Sequence, residues 1–320
     1  MKPSTRNLLI TCALVGVAVV WGGTFLTVKN AVAGYPLYGF LAWRFAVATV
    51  AFVALFPSSV RRMDLRIVRI GVLAGAFLTA GYVFQTWGLQ DTTASKAAFI
   101  TGMFVVITPL LQSLVLKRPP RLATLGGVLL AVAGLWLLAG GSVGGWNIGD
   151  TRVLLCAVAY SAHMIVLGGP GRELDVRSFT LVQLLTVAVT TAVISALTER
   201  PPLPTESSLV IALVITGVLG SAVAFVVQTY AQRYLSPTKT ALILITEPAF
   251  GGLFGWLAGE KMGMSALAGS ALILGGMVVA ELLGARAPVT EHVELKVAVE
   301  GPPVPMAEGD DDQYPEVDRT

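Results

Sequence analysis

Apolar residues fall in runs of about twenty, separated by short joins rich in charge, Pro or Gly. The runs cover residues 8–28, 36–56, 66–88, 94–116, 121–140, 150–168, 177–198, 207–231, 237–258 and 263–284. At ~1.5 Å per residue, a helix of that length crosses a hydrocarbon core of ~30 Å. The joins include Pro57-Ser58-Ser59, Lys117-Arg118-Pro119-Pro120, Gly168-Gly169-Pro170-Gly171 and Pro201-Pro202-Leu203-Pro204, all helix-breaking signals. Lipid demands that backbone hydrogen bonds be satisfied internally, which favours helices. The runs also lack the short alternating pattern of a membrane barrel. The pattern predicts an all-α integral membrane protein with ten transmembrane helices. The first run, with Lys2 and Arg6 before it and Ala31-Val32-Ala33 after it, has the outline of a secretory signal. It is read as a helix instead, because it is too long, contains Trp21-Gly22-Gly23-Thr24 and has a counterpart later in the chain.

Composition agrees with lipid as the solvent. Of 320 residues, 55% are hydrophobic and 13% charged, against about 25% charged in a soluble domain. Charge is uneven along the chain. Residues 1–284 carry 19 Lys and Arg against 10 acids, and residues 285–320 carry 3 against 9. With ten helices and a cytoplasmic N-terminus, 14 loop cations fall inside and 5 outside, the bias expected of cytoplasmic loops. Both termini are therefore expected in the cytoplasm. Residues 1–7 are read as a cytoplasmic N-terminus and residues 285–320 as a disordered, acidic cytoplasmic tail. The cations are scattered through loops rather than gathered on one patch, so no nucleic-acid partner is expected. Cys12 and Cys156 sit in apolar runs and suggest neither a disulfide nor a metal site.

The two halves resemble each other. Gln85-Thr86-Trp87 recurs as Gln228-Thr229-Tyr230, and Lys96, Ala98 and Ile100 recur as Lys239, Ala241 and Ile243, all displaced by 143 positions. Thr108-Pro109 answers Glu247-Pro248, Trp21 answers Tyr160 and Arg44 answers Gln183, displaced by 139. The predicted repeats span 8–140 and 150–284, five helices each. An odd number of helices forces the second half into the membrane upside down. Inverted repeats are the architecture of many secondary transporters, because two similar halves can exchange conformations.

In these features the chain resembles the drug/metabolite transporter superfamily, in its ten-helix branch of EamA-type permeases. The resemblance is carried by Trp21-Gly22-Gly23-Thr24-Phe25 with Lys29, by Arg44-Phe45, by Lys96-Ala97-Ala98-Phe99-Ile100-Thr101-Gly102 with Pro109, and by Glu247-Pro248 with Gly255-Trp256 and Gly259-Glu260. It implies a central cavity between the halves, a bacterial inner (plasma) membrane, and export or uptake of small organic metabolites, amino acids among the candidates. One departure is Lys117-Arg118-Pro119, which stands where the second half has Gly259-Glu260-Lys261.

Ionisable groups inside a bilayer are costly and tend to face protein or water. Arg44 lies about 12 Å deep in the second helix. Its planar fork suits a carboxylate clamp, and a buried ion pair or a carbonyl cap is the alternative. Glu247 lies near mid-membrane before Pro248, as a proton-coupling group, a cation holder, or a kink partner or counter-ion of Arg44. Lys96 and Lys239 are either paired gate residues or snorkelling interfacial cations. Gln85, Gln228 and Gln183 either bond substrate or bridge helices, and Gln112 is read as structural. Trp21 and Tyr160 either wall the cavity or pack. His163 is a weaker proton-relay candidate. Gly251, Gly255 and Gly259 form a small-residue stripe for close helix contact. No phosphate loop and no His-Glu-x-x-His occurs, so no cofactor is expected and the chain is not read as an enzyme. A membrane enzyme or subunit acting on lipid or envelope precursors, and a passive channel, are the alternatives to a transporter.

Overall fold

Side-chain caps in the joins set where several helices begin. In the computed structural model, which describes residues 3–92, 94–117, 119–120, 122–138, 147–250, 254 and 264–283, Asp64 accepts from the backbone N–H of Ile67 at 2.7 Å and starts α3 (Leu65–Asp91). Asn147 and Asp150 form a reciprocal capping box at the head of α7 (Ile148–Gly168). Asp175 caps α8 (Val176–Thr198) through Ser178, and Ser236 caps α10 (Pro237–Leu244) with Pro237 in the first turn. Each cap satisfies backbone donors that a helix start leaves open.

The remaining helices are α1 (Pro3–Gly34), α2 (Leu37–Leu55), α4 (Ala94–Gly102), α5 (Phe104–Leu116), α6 (Leu122–Leu138), α9 (Ser207–Ala231) and α11 (Met264–Leu283). Among the described residues there is no strand. Helices α1, α2, α3, α7, α8 and α9 are long and apolar enough to cross a membrane. Shorter apolar helices lie at Ile100–Leu116, Leu125–Gly134 and Leu267–Gly276. Large apolar side chains such as Val50, Leu114, Leu122 and Leu197 point outward, more than 70% exposed. Such a surface suits lipid rather than water.

Two predicted runs are broken. The run 94–116 divides at Met103 between α4 and α5, and the run 237–258 leaves helix at Ile245-Thr246, just before Glu247-Pro248. Proline explains the second break directly: its ring clashes with the carbonyl four residues back, which here is Leu244, the last residue of α10. The breaks stand at repeat-related positions, so the two halves share this irregularity as well as their residues.

Helices pair closely where glycine faces backbone. A Cβ on Gly88 of α3 would sit 2.7 Å from the carbonyl oxygen of Gly149 in α7, and one on Gly149 would sit 2.8 Å from that of Gly88. Gly134 of α6 faces the Gly269 carbonyl of α11, and Gly276 of α11 faces that of Gly127. The second pairing makes α6 and α11 antiparallel. The acidic tail and Gly251, Gly255 and Gly259 lie outside the described residues.

Gly88→Ala is expected to destabilise the protein by ~1–3 kcal/mol through overpacking. Gly16→Ala, where an added Cβ meets nothing within 4 Å, is expected to be neutral or to stabilise by ~0.5–1 kcal/mol. Thermal unfolding in detergent, with the two variants side by side, checks the contrast.

Candidate functional site

Between α1, α2, α3, α7 and α9 lies a cavity of about 50 Å3, room for a few waters. Trp21, Arg44, Gln85, Tyr160, Gln228 and Glu247, all singled out in the sequence, line it together. His163 lines it too, with Thr24, Tyr82, Thr101 and Phe225. Gln183 stands one layer behind, and Lys239 is not among the lining residues. The side chain of Lys96 lies outside the described residues.

Arg44 is 3% exposed. Its Nε donates to Ser221 Oγ and its Nη2 to Tyr82 Oη, both at 3.1 Å, and the guanidinium also lies 4.5 Å from the Tyr82 ring centre. Two of its five N–H groups are thus engaged by neutral hydroxyls. Among the described residues no carboxylate pairs with it, and it makes no ion pair with Glu247. Glu247 is 6% exposed, follows the break after α10 and forms no ion pair among the described residues. Arg44 and Glu247 therefore share one small cavity without forming an ion pair with each other.

Helix irregularity seats the arginine. Residues Ile215–Val223 of α9 are π-helical, a winding often found at functional sites because it redirects backbone groups. There Trp21 Nε1 donates to the Gly220 carbonyl at 2.8 Å, and Ser221 Oγ donates to the Thr216 carbonyl at 3.0 Å. Gly217 allows the α2 backbone to approach, since a Cβ there would sit 2.8 Å from the Arg44 carbonyl oxygen.

The opposite wall is amide and aromatic. Gln183 Nε2 donates to the Phe179 carbonyl, so its Oε1 accepts, at 2.8 Å, from His163 Nε2. In the neutral imidazole that bond puts the proton on Nε2 and leaves Nδ1 as an acceptor. Tyr160 Oη and Gln85 Oε1 are 3.4 Å apart, as are Gln85 Nε2 and Thr101 Oγ1. Gln228 Oε1 is buried without a partner among the described residues. Tyr82 meets Phe45, Tyr160 and Phe225 edge-on, at 4.9, 5.7 and 6.1 Å between ring centres.

Tyr82, Ser221, Thr92 and Asp150 escaped the sequence reading. Tyr82 lies one turn before Gln85 on the same helix face, a spacing that could have flagged it. Ser221 is a lone hydroxyl in a strongly apolar run, a weaker signal. At the α1 C-terminal end, Lys29 donates to the Thr92 carbonyl at 2.9 Å and Thr92 Oγ1 to the fully buried Asp150 at 2.8 Å. This chain of bonds ties α1 to the end of α3 and the head of α7. Gln112, read as structural, accepts from Thr238 and ties α5 to α10.

The sequence profile of the EamA-like transporter family matches residues 8–140 and 147–281, one copy on each half. The chain belongs to that family and is a multi-pass membrane protein of the drug/metabolite transporter type. Among individual relatives, an uncharacterized transporter of Archaeoglobus fulgidus is 31% identical over 78% of each chain. A probable terminal-alkyne amino-acid exporter of Streptantibioticus cattleyicolor is 26% identical over 83% of this chain and 91% of its own. A solved crystal structure shares the fold, with a TM-score of 0.73 at 20% identity, over 88% of this chain and 98% of that one.

Tyr82→Phe and Ser221→Ala each remove one hydroxyl acceptor from a buried guanidinium, and each is expected to lower stability by ~1–3 kcal/mol. The double variant is expected to lose other than the sum, because both act on one group. Denaturant or thermal unfolding of the single and double variants measures this.

Proposed function

We propose that the protein is a secondary transporter of small zwitterionic metabolites of the amino-acid class, working by alternating access around the central cavity. The observation that carries this reading is the placement of Arg44 and Glu247 on one cavity with no ion pair between them. A substrate carboxylate completes the three open N–H positions of Arg44, and a substrate ammonium meets Glu247. His163 Nδ1 and Gln228 Oε1 offer acceptors to the remaining N–H groups, and Tyr82, Tyr160 and Phe225 supply an aromatic wall for a cation or an apolar side chain. The name of the Streptantibioticus relative supports the same substrate class.

In this reading the ten apolar segments cross a bacterial inner membrane as two inverted repeats, 8–140 and 150–284, with both termini cytoplasmic. The paired breaks at Met103 and Ile245-Thr246 provide the unwound backbone that transporters of this architecture use at the midplane. Rocking of the halves breaks the Lys29–Thr92–Asp150 bonds on one side and parts Trp21 from Phe225, 5.7 Å away, on the other. Glu247, alternately holding a substrate ammonium and a proton, would couple flux to a proton gradient.

Proteoliposomes loaded with an amino-acid panel test the proposal. Saturable counterflow is expected for at least one zwitterion, which also separates a carrier from a passive channel. Arg44→Ala and Glu247→Gln are each expected to weaken substrate affinity about 10–100-fold, the worth of one charge-assisted hydrogen bond. Flux no greater than in empty vesicles for every compound, with and without a pH gradient, would refute it.

A further inference from the structure

A second and larger cavity, about 650 Å3, opens at the opposite end of the bundle from Lys29, Thr92 and Asp150. Four arginines line it: Arg6 of α1, Arg62 from the join before α3, Arg177 of α8 and Arg233 just after α9. Their charges are weakly answered. Arg62 lies 3.7 Å from Asp175 and is 73% exposed. Arg177 donates to Ser58 Oγ at 3.1 Å. Arg6 lies over the Tyr234 ring at 4.1 Å, and its Nε has no partner among the described residues. Among the described lining residues Asp175 is the one acid, and it is already engaged as the α8 cap by Ser178. Burial pushes its carboxyl up, but the Ser178 bonds and the Arg62 and Arg177 charges outweigh that and hold it below the usual value.

The chain itself carries a matching segment. Residues 285–320 hold nine acids against three bases, with Glu308-Gly309-Asp310-Asp311-Asp312 as the densest stretch. The helix contacts place the start of this segment at the arginine end. Gln112, near the end of α5, is bonded to Thr238 at the head of α10, a few residues past Arg233. Helix α6 therefore begins at that end, and α11, antiparallel to it, finishes there at Leu283. Twenty-seven positions separate Leu283 from Asp310. Even a coil-like chain of that length spans about 30 Å, roughly three helix diameters.

We propose that the acidic segment around Glu308–Asp312 docks into the arginine-lined vestibule. Four guanidiniums facing one engaged carboxylate attract an anion, and a tethered one arrives at high effective concentration. Contacts between exposed charges weaken as salt rises, so the docking is salt-sensitive. The proposal does not depend on what the central cavity carries.

The test uses the full chain, purified, with a reporter thiol from Val227→Cys in the vestibule wall. The exposed Cys12 is removed by Cys12→Ser, and Cys156 is buried. Labelling by an uncharged maleimide is expected to be several-fold faster when the tail is neutralised by Glu308→Gln with Asp310→Asn, Asp311→Asn and Asp312→Asn. High salt is expected to accelerate the acidic-tailed protein to the same rate and leave the neutralised one unchanged. As a second measurement on a surface-only change, Arg62→Lys with carbodiimide is expected to cross-link the introduced lysine to a carboxylate of 308–312, read by peptide mass spectrometry. Equal labelling rates, or no such cross-link in well-folded protein, overturn the proposal. So does labelling slowed only by added anionic lipid or free dicarboxylate, since the occupant is then not the tail.

Discussion

The site is organised by one costly act, the burial of the Arg44 charge inside an apolar bundle with no carboxylate paired to it among the described residues. A buried guanidinium is tolerable only when its donors are occupied and its charge is spread over dipoles. Here the π-helical stretch of α9 brings Ser221 up to Nε, and Tyr82 brings a hydroxyl to Nη2 and its ring face to the cation. Gly217 keeps α9 close enough to α2 for this to happen. Its other N–H groups, on the cavity wall, make no hydrogen bond among the described residues.

The repeat gives the same residues a second meaning. Arg44 on α2 and its counterpart Gln183 on α8 occupy related places but do different work. Arg44 faces the cavity, whereas Gln183 orients His163 from behind. Gln85 and Gln228 both reach the cavity, one loosely bonded and one with an unpartnered oxygen. Thr108-Pro109 and Glu247-Pro248 also diverge: Thr108 bonds Ser161 in the packed interior, and Glu247 faces the cavity. The two halves thus keep the helix breaks common while the ionisable groups differ, Arg44 in one half and Glu247 in the other.

Hydrophobic periodicity made the helices legible, because lipid leaves the backbone few alternatives. The deep charges were legible for a related reason: an apolar run rarely carries Arg or Glu without use. The side chains that complete the site were harder to read. Tyr82 and Ser221 are ordinary residues in helical runs, and their roles depend on where α3 and α9 meet α2. The π-helical winding has no compositional signature in Ile215–Val223 that separates it from α-helix. The breaks were half legible, since Pro109 and Pro248 announce irregularity but do not say which residue leaves the helix.

The central claim is that one cavity recognises both ends of a zwitterion through Arg44 and Glu247. Ligand-induced thermal stabilisation of the purified protein measures this directly, since a ligand selective for the folded state raises its midpoint. The account predicts that a free amino acid stabilises the protein while its amide, lacking the carboxylate, and its N-acetyl derivative, lacking the ammonium, do not. It further predicts that Arg44→Ala abolishes stabilisation by the free amino acid and with it the difference between the three compounds. Equal stabilisation by all three compounds, or discrimination unchanged in Arg44→Ala, would contradict it.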